Sequence, residues 1–273
     1  MKFVHRISFR ATASQRRELE ALGVRLPAGI ALPGGGDPFL AFDVDENHTN
    51  WPTLSTLFLG WNVSDLLRTE FSKKEIASAR WLEIGAWHHG YPQPDEDVFG
   101  YRQVTYNLTD WCEQCGIGMK QKAPFQMKGE PKWGRHDILQ LTWVYDELFV
   151  RPEDGRLQAP WHSLPTRHEH EGRRAQDCGA ARDRRGGRHR DRGLPIERCA
   201  KCGRAKYLPV TRGPFPMLTD KPSRAMARTK EYFGSGGQAD KYVLISQELV
   251  RSLVAENVRG ASLRPVQSGN GKS

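Results

Sequence analysis

The sequence predicts an α+β fold, in which an N-terminal β-α-β layer is followed by a duplicated, ribbon-like α/β unit. Two patterns favour this fold. Apolar residues alternate with a period of two on either side of a short helical pattern near the N-terminus, and a cysteine motif occurs twice with similar sequence after each copy. We expect an N-terminal α/β region over residues 1–108 and the duplicated region over 109–273.

The N-terminal layer begins with an alternating strand pattern at residues 2–9, where Phe3, His5, Ile7 and Phe9 fall on one face. A helix is predicted over 11–22, because Thr12 or Ser14 can cap its start and Gly23 can end it. A second strand is predicted over 39–45. These elements, in this order, form the predicted β-α-β layer. A capping box at residues 72–75 predicts one further short helix.

The cysteine motif is C-x-x-C-G, and its two copies occupy residues 112–116 and 199–203. This spacing brings both thiols of a copy within reach of one metal ion, and the glycine tolerates the positive φ that the turn requires. Two copies supply the four ligands of a closed tetrahedral site. We therefore predict a zinc-ribbon-like unit with structural zinc. The predicted metal ligands are Cys112, Cys115, Cys199 and Cys202.

Other interpretations of the motif remain open. The cysteines could form disulfides, act as a thiol redox pair, or recur by coincidence. Cytosolic disulfides are rare, and a redox C-x-x-C normally occurs once, at a helix start. A catalytic zinc is disfavoured, because four thiolates leave no open coordination position.

The sequence that follows each cysteine motif is also similar. Pro-Phe-x-Met occurs at 124–127 and again at 214–217, and strand-like runs follow at 148–153 and 243–248. Three matched features in one order indicate an internal duplication. In the second copy a helix carrying Leu249, Val250, Leu253, Val254 and Val258 is capped by Ser246 and ended by Gly260, and a strand follows at 261–266.

The first copy is interrupted by residues 154–193. This segment contains no Phe, Tyr, Met, Ile, Asn, Lys or Val and is crowded with Arg, Gly, Ala, His and Asp. One hypothesis is a compensated frameshift in a GC-rich gene, since codons rich in A and T are missing. The alternative is a genuine disordered Arg/Gly-rich segment that contacts RNA or acidic partners. In either case we expect poor order and no functional role for Cys178.

The charge distribution bears on the class of partner. A net charge of +9 would favour nucleic acid. However, segment 154–193 holds ten arginines and six acidic residues, so only +5 remains for the rest of the chain. A secretory h-region and an apolar run of about 20 residues are both missing from the sequence. We therefore expect a soluble, cytoplasmic protein with no membrane partner.

No catalytic set can be assembled from neighbouring residues, so we predict that the chain is not an enzyme. His88 and His89 precede the acidic residues Asp95, Glu96 and Asp97, which could suggest a metal or catalytic cluster. The surrounding prolines favour a solvated loop instead.

The two C-x-x-C-G motifs, the Glu-Tyr-Phe-Gly-Ser-Gly-Gly stretch at 231–237 and the sequences at 244–249 and 259–266 resemble the double-CXXCG motif proteins. That family was first described as a myxobacterial paralogous family. The resemblance covers residues 109–266, apart from the interruption. It implies an immunity protein that neutralises a toxin exchanged between sibling cells, and its motif residues correspond to the four cysteines above.

The resemblance leads to the expected function, which is stoichiometric binding of a cognate protein toxin by a scaffold held together by zinc. Such a protein needs a complementary surface and no active site. A zinc-ribbon protein that binds nucleic acid is the alternative, and the net charge is its support.

Overall fold

The computed structural model describes residues 1–93, 100–151, 176–178, 194–218 and 222–268. The chain divides into two compact units. The first comprises Met1–Glu75 and Thr211–Pro214, and the second comprises Ile76–Val210 and Phe215–Ser273. Both units mix helices and strands, which confirms the predicted α+β class. The second unit begins well before the sequence-predicted boundary at residue 108.

The first unit is a three-stranded antiparallel sheet with two helices. Strand β1 lies in the middle of the order β2-β1-β3. The elements are β1 (Lys2–Arg10), α1 (Ala13–Ala21), β2 (Phe39–Asp45), α2 (Trp51–Gly60) and β3 (Ser64–Glu70). The predicted β1, α1 and β2 are therefore confirmed, and Thr12 is the cap of α1 with Gln15 completing a capping box.

One apolar core holds this unit together. Its centre consists of Ile7 from β1, Leu19 from α1, Leu40 from β2 and Leu54 from α2, all of which are fully buried. Each element thus contributes one apolar face, as the alternation in β1 and β2 and the helical spacing in α1 require.

The second unit contains the remaining elements. Helix α3 (Lys73–Ser78) spans the division between the two units, and the predicted capping box at Ser72 and Glu75 is present at its start. The elements that follow are β4 (Trp81–His89), α4 (Tyr101–Thr105), β5 (Tyr106–Asn107), β6 (Lys120–Gln121), β7 (Ile138–Leu141), β8 (Val144–Val150), β9 (Gln176–Cys178), β10 (Ile196–Arg198), β11 (Ala205–Tyr207), β12 (Met226–Thr229), β13 (Val243–Ser246), α5 (Gln247–Ala255) and β14 (Ala261–Pro265).

Within the described residues, the largest sheet has seven strands in the order β8-β7-β4-β13-β12-β9, with β14 also paired to β4. Strand β4 is central, since it pairs with β13 and β14 antiparallel and with β7 parallel. Because of these pairings, the chain from Ile76 onward belongs to the second unit. Helix α5 covers one face of this sheet, where Leu249, Val250 and Leu253 join the core that contains Leu82 and Ile84.

The strand-helix-strand continuation predicted after the second cysteine motif is confirmed, with one correction. Ser246 caps α5, because its hydroxyl accepts a hydrogen bond from the Leu249 N–H. The helix ends at Ala255 rather than at Gly260. The left-handed residue that follows is Asn257, with φ 52°. Val254 is 71% exposed and lies outside the core.

Most of segment 154–193 lies outside the described residues, as do Asp95, Glu96 and Asp97. The frameshift and disorder hypotheses therefore stay predictions. Three residues of the segment are described: they form β9, which pairs in parallel with β12. Among the helices that the structure describes, none is both long enough and apolar enough to cross a membrane.

Candidate metal centre

Each C-x-x-C-G motif forms the turn of a short antiparallel hairpin. Strands β5 and β6 flank the first motif, and β10 and β11 flank the second. In each turn the first cysteine bonds through its N–H to the carbonyl of the residue after the glycine, at 2.9 Å in both hairpins. Gly116 and Gly203 have φ values of 78° and 70°. The positive φ expected from the motif is therefore confirmed in both copies.

The two hairpins place their four cysteine sulfurs together. All four Sγ atoms lie within 4.8 Å of one another, although 87 residues separate the two motifs. The Cys112 and Cys199 sulfurs are 3.8 Å apart, and the Cys115 and Cys202 sulfurs are 3.7 Å apart. Both distances are far longer than a disulfide bond of about 2.05 Å. The four predicted ligands thus form a cluster of separate thiols that could hold a metal ion.

The cluster is largely enclosed by its own hairpins and by one later loop. Cys112, Cys115 and Cys199 are buried, whereas Cys202 is exposed. Ile117 and Ala239 pack against the buried thiols, and Tyr232 covers them further. Solvent therefore reaches the cluster mainly at Cys202.

The thiols differ in their electrostatic surroundings. Arg204 donates a hydrogen bond from Nε to the Cys202 sulfur at 3.3 Å and lowers the pKa of that thiol to about 6. Burial raises the pKa of the Cys115 thiol to about 12. A positively charged neighbour favours the thiolate, and loss of water favours the neutral thiol. Of these two thiols, Cys202, which lies beside Arg204, therefore loses its proton more readily.

A buried lysine connects the cluster to the rest of the second unit. Lys206 on β11 is 1% exposed, and its ammonium group donates to the carbonyl oxygens of Cys115 at 3.0 Å, Gly236 at 2.5 Å and Gln238 at 2.8 Å. Glu197 on β10 lies 3.8 Å from the same nitrogen. One side chain of the second hairpin thus binds the backbone of the first hairpin and of a distant loop.

The distant loop is the glycine-rich stretch at 231–237, together with the residues that follow it. It packs so tightly that a Cβ atom on Gly116 would overlap the carbonyl oxygen of Gly237. A Cβ atom on Gly234 would likewise overlap the carbonyl oxygen of Gln238. The missing side chain at Gly116 therefore allows the loop backbone to lie directly against the first cysteine turn, and the missing side chain at Gly234 allows the loop to fold closely on itself.

The two histidines considered as a metal or catalytic pair have other partners. His88 contacts the Gln140 side chain at 3.2 Å. His89 bonds to the Gly90 carbonyl at 2.7 Å and accepts from the Lys132 N–H at 3.2 Å. Both imidazole rings thus form hydrogen bonds with nearby residues. The acidic residues that follow them in sequence, Asp95, Glu96 and Asp97, lie outside the described residues.

Lys206 and Arg204 were not predicted from the sequence. Arg204 follows the second motif directly, so its position beside a thiolate could have been inferred from spacing. Lys206 gave no such signal, because a lysine in a short strand is usually solvent-exposed. Its role depends on backbone carbonyls that come from two other parts of the chain.

No family model matches the chain, and no significantly similar protein was found among the curated proteins or the solved structures. The arrangement of the four cysteines is therefore the feature from which a function can be inferred.

Proposed function

We propose that this protein is an immunity protein that binds and neutralises a cognate protein toxin, and that structural zinc held by Cys112, Cys115, Cys199 and Cys202 maintains its scaffold. The observation that carries the proposal is the convergence of two C-x-x-C-G hairpins on one four-sulfur cluster. The double-CXXCG motif is also the feature through which the chain resembles immunity-type proteins.

Two of the six sulfur–sulfur distances match those of tetrahedral zinc. Zinc–sulfur bonds of about 2.3 Å imply about 3.8 Å between sulfurs at the corners of a tetrahedron. The distances of 3.8 Å and 3.7 Å across the two hairpins match that edge. Four soft thiolates in this geometry favour zinc or iron over magnesium or calcium. The donor set therefore supports a bound transition metal, and zinc is the one we propose.

The metal's role in this proposal is structural. Four cysteine ligands fill a tetrahedral ion, so no position remains for substrate or water. The ion would instead hold the two hairpins together. Each hairpin is only weakly stabilised by its own strands, because β5 pairs with β6 over two residues and β10 pairs with β11 over three. Metal binding of this kind contributes directly to folding free energy.

Half-exposed tryptophans support protein binding. Trp87 is 45% exposed and Trp143 is 46% exposed. Trp87 is held against the ring of His136, with centroids 4.7 Å apart and planes 12° from parallel. Tryptophans of this kind commonly dominate protein interfaces, and truncating one that does costs about 2 kcal/mol or more of binding free energy.

Co-expression tests the proposal. The toxin encoded by the adjacent gene is produced at a fixed level while the level of this protein is varied, and growth is recorded. A one-to-one inhibitor should restore growth in proportion to its amount, and a purified complex should contain both chains equally. Protection at substoichiometric amounts, or no protection and no complex with any neighbouring toxin, would overturn the proposal.

Binding of nucleic acid through the ribbon-like hairpins is the second candidate, and the net charge of +9 favours it. Purified protein is titrated with random-sequence DNA at several salt concentrations. Tight binding with a steep salt dependence, together with failure of the toxin test, would favour this candidate over the immunity function.

A further inference from the structure

Lys206 is unusual among the lysines that the structure describes, because its side chain is 1% exposed and its ion pair is long. Its nearest carboxylate, on Glu197, lies 3.8 Å away and is 38% exposed. A lysine ammonium group has three donors and no acceptor. All three hydrogen bonds of Lys206 go to backbone carbonyls, so its donors are fully used.

The three carbonyls belong to two segments that pack at the cysteine cluster, namely the first hairpin and the glycine-rich loop. Cys115 is the second ligand of the first hairpin. Gly236 and Gln238 belong to the loop that packs on that hairpin, next to Ala239 in the cluster's apolar surroundings. Lys206 itself extends from β11, directly after the second pair of cysteines. The loop is also bonded to β11, through Tyr207, at 2.9 Å in two backbone hydrogen bonds.

We propose that Lys206 is the positioning residue of the four-cysteine site. Its ammonium group binds backbone carbonyls of the first hairpin and of the loop. It thereby holds Cys112 and Cys115 in place opposite Cys199 and Cys202. This inference rests on the proposed metal binding. The positive charge also offsets part of the negative charge that four thiolates and a divalent ion carry together.

The shape of the ammonium group matters as well as its charge. Three carbonyls converge on a single nitrogen atom, which a lysine can satisfy. An arginine carries the same charge, but its donors are spread over a planar fork and cannot meet at one point. A methionine fills a similar volume but removes the donor from all three carbonyls, of which that of Cys115 is buried.

The first test uses the unaltered protein. The zinc-loaded chain is labelled with ¹⁵N at its lysines, and the side-chain ammonium signals are recorded by NMR. Since Lys206 is the one lysine in the described residues that is fully buried, we expect one slowly exchanging ammonium resonance, correlated across hydrogen bonds to backbone carbonyls. If every ammonium group exchanges at the rate of an exposed lysine, the proposal is wrong. This result does not depend on any variant folding.

The second test compares Lys206→Met, Lys206→Arg and the control Lys122→Met, which alters an exposed lysine outside both cysteine motifs. Zinc affinity is measured by competition with a chromogenic chelator. Loss of a group that orients metal ligands typically lowers metal affinity about 10- to 100-fold. We expect that loss for both Lys206 variants and an unchanged affinity for Lys122→Met.

The outcomes separate this inference from the proposed function. Wild-type protein that holds no zinc contradicts the proposed metal and this inference together. Wild-type protein that holds zinc, with Lys206→Met binding it equally well, contradicts the positioning role alone. If Lys206→Arg keeps full zinc affinity and Lys206→Met loses it, the positive charge alone is sufficient. That outcome contradicts the requirement that three carbonyls meet one nitrogen atom. Toxin neutralisation is scored separately by the growth assay.

Discussion

Arg212 and Glu46 form a two-pronged ion pair across 166 residues of sequence, with each terminal guanidinium nitrogen 2.7 Å from a different carboxylate oxygen. The guanidinium group also lies 4.0 Å from the centre of the Phe3 ring. Glu46 accepts a further hydrogen bond from His5 at 2.9 Å. This carboxylate therefore holds the short segment Thr211–Pro214 in the first unit, beside β1 residues.

The Glu46 pair should make the first unit sensitive to acid. Hydrogen bonding from Arg212 lowers the pKa of Glu46 to about 2. The folded pKa lies below the ordinary value of about 4.3, so the stabilisation is present above pH 4.3 and is lost as pH falls toward 2. We expect Glu46→Gln to lower the unfolding free energy by about 1–3 kcal/mol at pH 7.

Hydrogen exchange of β1 amides, measured between pH 7 and pH 3, checks this prediction. The difference between Glu46→Gln and wild type should shrink as pH falls below about 4.3. Glu18→Gln, which alters an exposed carboxylate on α1, serves as the control and should behave as wild type. A difference that stays constant with pH would contradict the role given to the Glu46 carboxylate.

Removing one cysteine of the cluster should release the metal. We expect Cys199→Ser to lose the bound zinc, because three thiolates and a hydroxyl no longer provide a closed four-thiolate site. The melting temperature should fall as well, since the site joins two distant hairpins. Elemental analysis of protein purified without chelators measures the metal content, about one zinc per chain in wild type.

Cys178 provides a matched control for that experiment, because it lies outside both motifs. Cys178→Ser should keep full zinc content and thermal stability. Zinc retained by Cys199→Ser, or lost equally in both variants, would show that the four motif cysteines are not the ligands.

The two motif glycines should differ in their tolerance of alanine. Both have positive φ, so alanine at either site adds backbone strain of about 1 kcal/mol. At Gly116 the new Cβ would also overlap the Gly237 carbonyl, whereas at Gly203 it would meet nothing within 4 Å. We expect Gly116→Ala to lower stability and zinc affinity far more than Gly203→Ala. Equal effects in urea unfolding and chelator competition would contradict the close packing at Gly116.

Ionisation of the Glu83 carboxyl group should destabilise the folded state as pH rises. Its side chain on β4 is 13% exposed, and burial raises its pKa to about 7, while Arg264 acts in the opposite direction from 3.7 Å. The folded pKa lies above the unfolded value of about 4.3, so the folded state loses stability between pH 4.3 and pH 7 and little more above that. Glu83→Gln removes the ionisation and should flatten this dependence.

Urea unfolding of wild type and Glu83→Gln across pH 5 to 8 measures the effect of Glu83. The stability of the variant relative to wild type should rise up to about pH 7 and then level off. Glu256→Gln, at an exposed position after α5, should show no such rise. A parallel pH profile for wild type and Glu83→Gln would contradict the prediction.

Several elements could be predicted because their signals are local. Strand β2 was predicted with the bounds that the structure shows, and α1 begins at the expected cap, because alternation and capping depend on residues a few positions apart. Strand β4 was not predicted, although Leu82, Ile84 and Ala86 alternate along it. The expectation of a solvated loop at His88 and His89 was wrong, because both residues lie at the end of β4, which pairs with β7 there.

By itself, the sequence determined the two cysteine turns. The spacing of the thiols and the glycine after them fix a hairpin of known form, since every contact in that turn lies within a few residues. Only the tertiary structure decided that the turns face each other, that Lys206 binds three carbonyls from two other segments, and that Arg212 meets Glu46. Those contacts join residues far apart in the chain, so they exist only when folding within each unit has brought the segments together. Contacts of this kind cannot be predicted from a local pattern of residue types.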